Sequence, residues 1–431
     1  MAATRTAMLR LSALVPERAL FENDAFRRLW LSRLLSQVPS NAIVYAMLIV
    51  VVEATGKSFS SSLFVAAYIA PAAILGSFAG VLVDRFPKGI MIGGSHAARA
   101  ALCMMLAIAV DSVVWIYVIA VLFAVAGQLS GPAESSALPS LVPPEEYTAA
   151  NSLNNLGGLV AQIVGVVLLP VVFLNTVGAG PLAVVCGAMF AFAALNVLMI
   201  DGLAGAISDV DMTVQDAREQ FAEAWHRLTL DSVAYLAVIV VVLGNTSGLV
   251  VATLIPRFAS QVLGIEIQNA IFVVAPAAIG IWASLRFAHL VAGGISPWWS
   301  LGGSFVALVV GVTLCAFVTP LSELLPFAPD VSAIIITMML APVLAFAFTL
   351  VNIIGRSVVN ERIPREMQGR VFAAQGTLTN LASIPPILLT GVLADLMGVE
   401  PVFFLVGIGT GLIGLFFVAR NVASPARAAA R

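Results

Sequence analysis

The chain is poor in charge, histidine, cysteine and tyrosine: Asp, Glu, Lys and Arg together make up 10% of its 431 residues, with three histidines, three cysteines and five tyrosines. Each shortage excludes something. Soluble domains are about a quarter charged, so a chain with 60% hydrophobic residues and this little charge is not one of them. Cys103, Cys186 and Cys315 lie far apart inside apolar runs, which reads as core packing and not as a disulfide framework. His96, His226 and His289 are scattered, with no partner at metal-ligand spacing, so neither a metal site nor a histidine-based catalytic centre is expected. HExxH, GxSxG, clustered acids and GxxxxGK[ST] are all missing, which argues against an enzyme, a cofactor and ATP-driven work by this chain alone. No nucleic-acid partner is expected.

What the chain has in abundance is long apolar runs separated by short polar turns. Their length suits helices crossing about 30 Å of hydrocarbon and not the alternating ten-residue strands of a barrel. Twelve spans are predicted, at 27–52, 60–83, 90–110, 113–131, 147–172, 181–200, 232–255, 268–289, 298–319, 331–355, 371–394 and 401–419. The expected fold is an all-α membrane protein. Of the 21 basic residues, seventeen fall in the termini and one set of loops, while only Lys57 and Arg257 fall in the other set and Arg33 and Arg99 lie within helices. By the positive-inside rule both termini are expected in the cytoplasm. Residues 1–26 lack an apolar core and read as a cytoplasmic arm rather than a cleaved signal peptide.

Internal matches divide the chain. Ala70–Ile74 (APAAI) recurs as Ala275–Ile279, 205 positions on, and Leu141–Glu146 (LVPPEE) resembles Arg362–Met367 (RIPREM), 221 positions on. Between the halves, residues 201–231 carry seven acids, with Val214, Ala217, Phe221, Ala224, Trp225 and Leu228 at helical spacing. This predicts an amphipathic helix at the cytoplasmic surface. The expected organisation is an N-terminal arm at 1–26, a six-helix bundle at 27–200, a linker at 201–231, a second and pseudo-symmetric six-helix bundle at 232–420, and a cytoplasmic tail at 421–431. Parallel repeats of this kind enclose a pathway with its substrate site near the midplane.

One motif is more specific. Between the second and third spans the chain reads GVLVDRFPKG, from Gly80 to Gly89. Twelve spans, a central loop and this turn resemble the major facilitator superfamily of secondary transporters, over about residues 26–420. The turn matches the superfamily's signature loop at Gly80, Leu82, Asp84, Arg85 and Lys88, with Pro87 where glycine is more usual. Phe26–Gln37 (FRRLWLSRLLSQ), Leu141–Leu153 (LVPPEEYTAANSL) and Ile363–Ala374 (IPREMQGRVFAA) resemble the bacterial exporter branch that includes enterobactin exporters and macrolide efflux proteins. The resemblance implies that Gly80, Asp84, Arg85 and Lys88 form an interdomain latch, completed by Arg99 and a basic partner such as Arg370. The alternative reading of the same residues is a solvated turn obeying the positive-inside rule, with Arg99 snorkelling.

Arg33, Gln37, Asn41 and Tyr45 recur every four residues in the first span, so all four share one helix face. Lipid penalises such a face, which is therefore expected to point inward. Asn245 and Thr246 bring polar groups to the middle of the seventh span, and Gln128, Asn155, Asn352 and Asn380 extend the candidate substrate cavity. Interhelical hydrogen bonding is the competing role for all of them. Pro39, Pro71, Pro276, Pro342, Pro385 and Pro386 interrupt spans and are candidate hinges. No drawn span holds Asp or Glu away from its ends, which leaves Glu134, after Gly131-Pro132-Ala133, as the candidate for proton coupling. The resulting expectation is a monomeric secondary transporter working by alternating access in a bacterial cytoplasmic membrane. Its cargo is expected to be an amphipathic or hydrophobic small molecule, exported, with protons as the candidate coupling ion. Solute uptake, lysophospholipid flipping and a non-transporting membrane scaffold are the alternatives.

Overall fold

The structure is a computed structural model. It describes residues 17–201, 203, 214–294 and 297–428, with the side chains of 17–19, 77–85, 214–218, 220–221, 289–294, 297, 365 and 420–428 outside the description. Among the described residues every regular element is helical. Among the described residues, twelve helices are long and apolar enough to cross a membrane. In chain order they are α1 (Asp24–Thr55), α2 (Ser58–Arg85), α3 (Lys88–Ala109), α4 (Val113–Leu141), α5 (Pro144–Leu174), α6 (Ala179–Leu198), α7 (Ser232–Gln261), α8 (Ile267–Ala288), α9 (Trp298–Ser322), α10 (Pro329–Arg362), α11 (Arg365–Met397) and α12 (Val399–Ala428). The number of spans matches the hydropathy reading. Large apolar side chains such as Phe192, Val306, Leu412 and Phe416 stand exposed on α6, α9 and α12, as lipid-facing surfaces require.

The helices run past the ends drawn from hydropathy. α4 was expected to stop at residue 131, before Pro132, yet it continues through Pro132 and Pro139 to Leu141. Proline costs one backbone hydrogen bond, a loss that neighbouring helices absorb in a membrane bundle. Pro39, Pro71, Pro342, Pro385 and Pro386 likewise sit inside continuous helices. Only Pro276 falls at a break, between Ala270–Val274 and Ala277–Gly294. In α5 the residues Ile163–Leu168 adopt a π-helical turn. Gly165, in that turn, lies where a Cβ would overlap the Val38 carbonyl, so only glycine lets α5 come this close to α1.

The chain forms two compact units: Met1–Met47 with Phe78–Met212, and Leu48–Ser77 with Thr213–Arg431. In the first unit α3 packs on α6 and α4. Its core holds Leu29, Ile92, Ala133, Ala137 and Val197, with Phe123 and Phe190 meeting edge to face at 5.6 Å. A second apolar cluster joins Phe26 of α1 to Leu138, Ala150 and Leu153.

In the second unit α7 is the central helix, packed by α10, α11 and α12. Asp231 caps its start, accepting hydrogen bonds from Val233 N–H at 3.0 Å and Ala234 N–H at 2.9 Å. The helix expected within the 201–231 linker is found at Val214–Leu230. Its Ala224 and Leu228 are buried against Ala234, Val238, Val359 and Val371. The first residues of its expected apolar face, Val214, Ala217 and Phe221, lie outside the described side chains.

Candidate functional site

Polar groups gather at two places, one in each unit. In the first unit, α1 brings Arg33, α3 brings His96 and Arg99 three residues apart, and α4 brings Glu134. Because α4 continues past Pro132, Glu134 is a buried side chain, 8% exposed, and not the helix-end charge its sequence context suggested. Its carboxylate faces Arg33 Nε at 3.8 Å and His96 Nε2 at 3.7 Å. Arg99 also acts on it electrostatically. A buried carboxylate is tolerated only with such company, since removing a charge from water costs several kcal/mol. His96 is completely buried, and both of its ring nitrogens, like Arg33 Nε, lack a hydrogen-bond partner. Arg33 and Arg99 therefore act on Glu134 by charge, Arg33 at a separation longer than a hydrogen bond, with the His96 ring beside them.

Arg99 is half-buried and packs against protein. Its guanidinium carbon stands 4.8 Å from the Phe123 ring and 5.6 Å from the Phe190 ring, and Nη1 donates to Ser40 Oγ at 3.1 Å. Room for it comes from Gly127, where a Cβ would overlap Nη2. Cation–π contact with two rings offsets part of the desolvation cost of the arginine.

The other residues of the α1 face also meet protein. Asn41 Nδ2 donates to the Ala161 carbonyl at 3.3 Å, beside the π-turn of α5. Gln37 Oε1 lies against Gly158, at 3.5 Å from where a Cβ would be. The Tyr45 hydroxyl is buried without a hydrogen-bond partner. Gln128 is half-buried, whereas Asn155 is exposed.

In the second unit the polar centre is neutral. Asn352 Nδ2 donates to Asn245 Oδ1 at 3.1 Å and to its own helix at Phe348 O at 3.0 Å. Thr246 Oγ1 and Ser383 Oγ are 2.8 Å apart, as are Ser247 Oγ and Thr410 Oγ1. These three contacts tie α7 to α10, α11 and α12, so Asn245, Thr246 and Asn352 serve interhelical bonding here. Asn380 is half-buried.

Of the residues assigned to a latch, Gly80, Asp84 and Arg85 have side chains outside the described set. Lys88 Nζ donates to the Ser136 carbonyl near the end of α4 at 2.7 Å. Arg370 pairs with Glu223 of the linker helix at 3.2 Å. Sequence spacing gives His96 no partner. Helical periodicity gives the face a residue lies on, but not which helix that face meets.

The profile of the Major Facilitator Superfamily matches residues 29–386. The chain belongs to this superfamily. Macrolide efflux protein A of Streptococcus pyogenes is 24% identical over 392 residues, covering 89% of this chain and 92% of that protein. Among solved structures, a mutant of the nucleoside transporter NupG superposes with a TM-score of 0.68 at 13% identity, over 92% of this chain and 99% of that one. A mutant of the peptide transporter POT in complex with sulfate gives 0.65 at 13% identity, over 93% and 94%. Both share the superfamily fold. The twelve helices and the buried Glu134 cluster are thus features of a transporter chain.

Proposed function

We propose that the chain is a secondary exporter that moves an amphipathic or hydrophobic small molecule across a bacterial cytoplasmic membrane by alternating access, driven by protons. The observation that carries the direction and cargo class is the similarity to macrolide efflux protein A along nearly the whole of both chains. The low charge of the spans agrees with it, since a multiply charged cargo needs more counter-charge than these helices provide. The asymmetry of basic residues supports both termini in the cytoplasm.

Glu134 is the group proposed to carry the proton. Among the described residues it is the one buried acid, and it sits where its charge state decides whether α4 attracts α1. When ionised it compensates Arg33. Once it takes a proton, that attraction is lost, the two arginines repel each other, and α1 is free to shift on α4. Release of the proton restores the pair, so each cycle exchanges one proton for a change of packing. The latch role of the Gly80–Gly89 turn, with Lys88 tied to α4, belongs to the same reading.

The test is flux in proteoliposomes with an imposed pH gradient, using macrolides, hydrophobic dyes, siderophores, nucleosides and lysolipids. Gradient-driven movement of the macrolides or dyes, lost in Glu134→Gln, is the expected result. Movement of lysolipids or nucleosides alone replaces the cargo class, and gradient-independent flux removes the proton. No flux of any compound, with full function retained in the cell by Asn41→Leu plus Asn245→Leu, would make the chain a scaffold.

A further inference from the structure

The start of α2 is satisfied from a distance. Gly56, with φ of 64°, turns the chain between α1 and α2, and Ser58 opens α2 with its own hydroxyl buried and unpartnered. The first amides of the helix go instead to α11, more than three hundred residues later. Ser58 N–H donates to Asp395 Oδ1 at 2.6 Å and Phe59 N–H to Oδ2 at 2.9 Å. Both oxygens of one carboxylate are thereby spent on one helix N-terminus, where the helix dipole favours negative charge.

A second contact lies one turn earlier on α11. Gly391 has no Cβ, and one built there would overlap Ser62 Oγ and stand 3.0 Å from Phe59 Cα. Ser58, Ser61 and Ser62 are fully buried along this seam. Deeper in, Ala66 and Ile69 of α2 share an apolar cluster with Ile387 and Ala394 of α11 and with Val250 and Leu254 of α7. These contacts explain why residues 48–77 group with the C-terminal unit although they precede α3 in the chain.

We propose that Asp395 is a positioning residue that fastens the N-terminal part of α2 to α11 and thereby sets how long the transporter stays closed at this end. The proposal rests on alternating access, because only a cycling transporter must part these helices. Asp395 itself is exposed while the seam beneath it is shut. Its two hydrogen bonds therefore sit at the rim, where water replaces them first when the seam parts. Gly391 holds the helices close enough for those bonds to form.

The reporter is Ser62→Cys, a thiol placed in the seam of the full chain and challenged with a membrane-impermeant maleimide. Losing both bonds of this exposed carboxylate is expected to raise the labelling rate about tenfold in Asp395→Ala, a change of about 1.4 kcal/mol. Asp395→Asn, which keeps one neutral acceptor, should rise less, and Asp395→Glu should stay nearest the parent. Cys103 and Cys186, buried in the other unit, act as monitors of general loosening and should label as in the parent. If Asp395→Ala does not fold, Ser58→Pro removes one donor and leaves the carboxylate, at a helix position that accepts proline. Equal labelling in the parent and in a folded Asp395→Ala or Ser58→Pro protein would overturn the proposal, as would a rise matched at Cys103 and Cys186. The assay needs no cargo, so its failure is separable from failure to find one.

Discussion

The polar centre of the first unit is charged and that of the second is neutral. In the first, the Glu134 carboxylate stands 3.8 Å from Arg33 Nε and 3.7 Å from His96 Nε2, with Arg99 acting on it by charge, whereas Asn245 with Asn352, Thr246 with Ser383 and Ser247 with Thr410 are joined by hydrogen bonds of 2.8–3.1 Å. The two units of one chain carry two chemistries. Short neutral bonds hold the helices of the second unit, while the charge cluster of the first, at longer separation, is the proposed seat of the proton. Coupling is therefore expected to fail when the first unit is altered and to survive alteration of the second.

The largest effect should come from Glu134. Glu134→Gln leaves a half-buried Arg33 beside a neutral partner, and since breaking a fully buried ion pair from one side costs about 3–5 kcal/mol, the loss here should be at most about 3 kcal/mol. Gradient-driven flux should vanish, while exchange of cargo at equilibrium persists. Arg33→Gln added to Glu134→Gln should recover part of the lost stability without restoring coupling. Thermal unfolding of the four proteins of this cycle measures the pair, and additive losses would deny the interaction.

Steric tests come next. Gly127→Ala puts a Cβ into the Arg99 guanidinium, and Gly165→Ala puts one into the Val38 carbonyl. Overpacking costs about 1–3 kcal/mol. The Val38 carbonyl is backbone and has little room to move, so Gly165→Ala should fall at the upper end of that range. Gly131, in the same helix as Gly127, has nothing within 4 Å of its built Cβ. Gly131→Ala should be neutral or stabilising by up to about 1 kcal/mol, the helix propensity gained over glycine. Similar melting temperatures for Gly127→Ala and Gly131→Ala would remove the slot assigned to Arg99.

These contacts differ in how far the sequence announces them. The number and order of the spans follow from hydropathy, because apolar runs of this length have few other uses. The polar face of α1 was legible from the four-residue spacing of Arg33, Gln37, Asn41 and Tyr45. Glu134 was legible as a candidate but not as a buried one, since Pro132 looks like a helix end until packing carries α4 past it. His96 offered no signal, because its partner lies on another helix and local spacing does not record which faces meet. Asp395 lies one residue beyond the drawn eleventh span and meets the start of the second, a pairing that exists only in the folded chain.

The smallest effects belong to the neutral centre. Asn245→Leu leaves Asn352 Nδ2 with its intrahelical acceptor, Phe348 O, so the loss is one interhelical bond. Such bonds average about 0.6 kcal/mol in membrane proteins, with a maximum near 1.7. Thr246→Val removes the bond to Ser383 Oγ, but Ser383 still donates to Thr379 O at 2.6 Å, which places the cost at the lower figure. Both variants should keep gradient-driven flux at its parental pH dependence and change at most the cargo concentration for half-maximal rate. A shift in pH dependence from Thr246→Val would mean that the neutral centre takes part in coupling, and the division of labour between the two units would no longer hold.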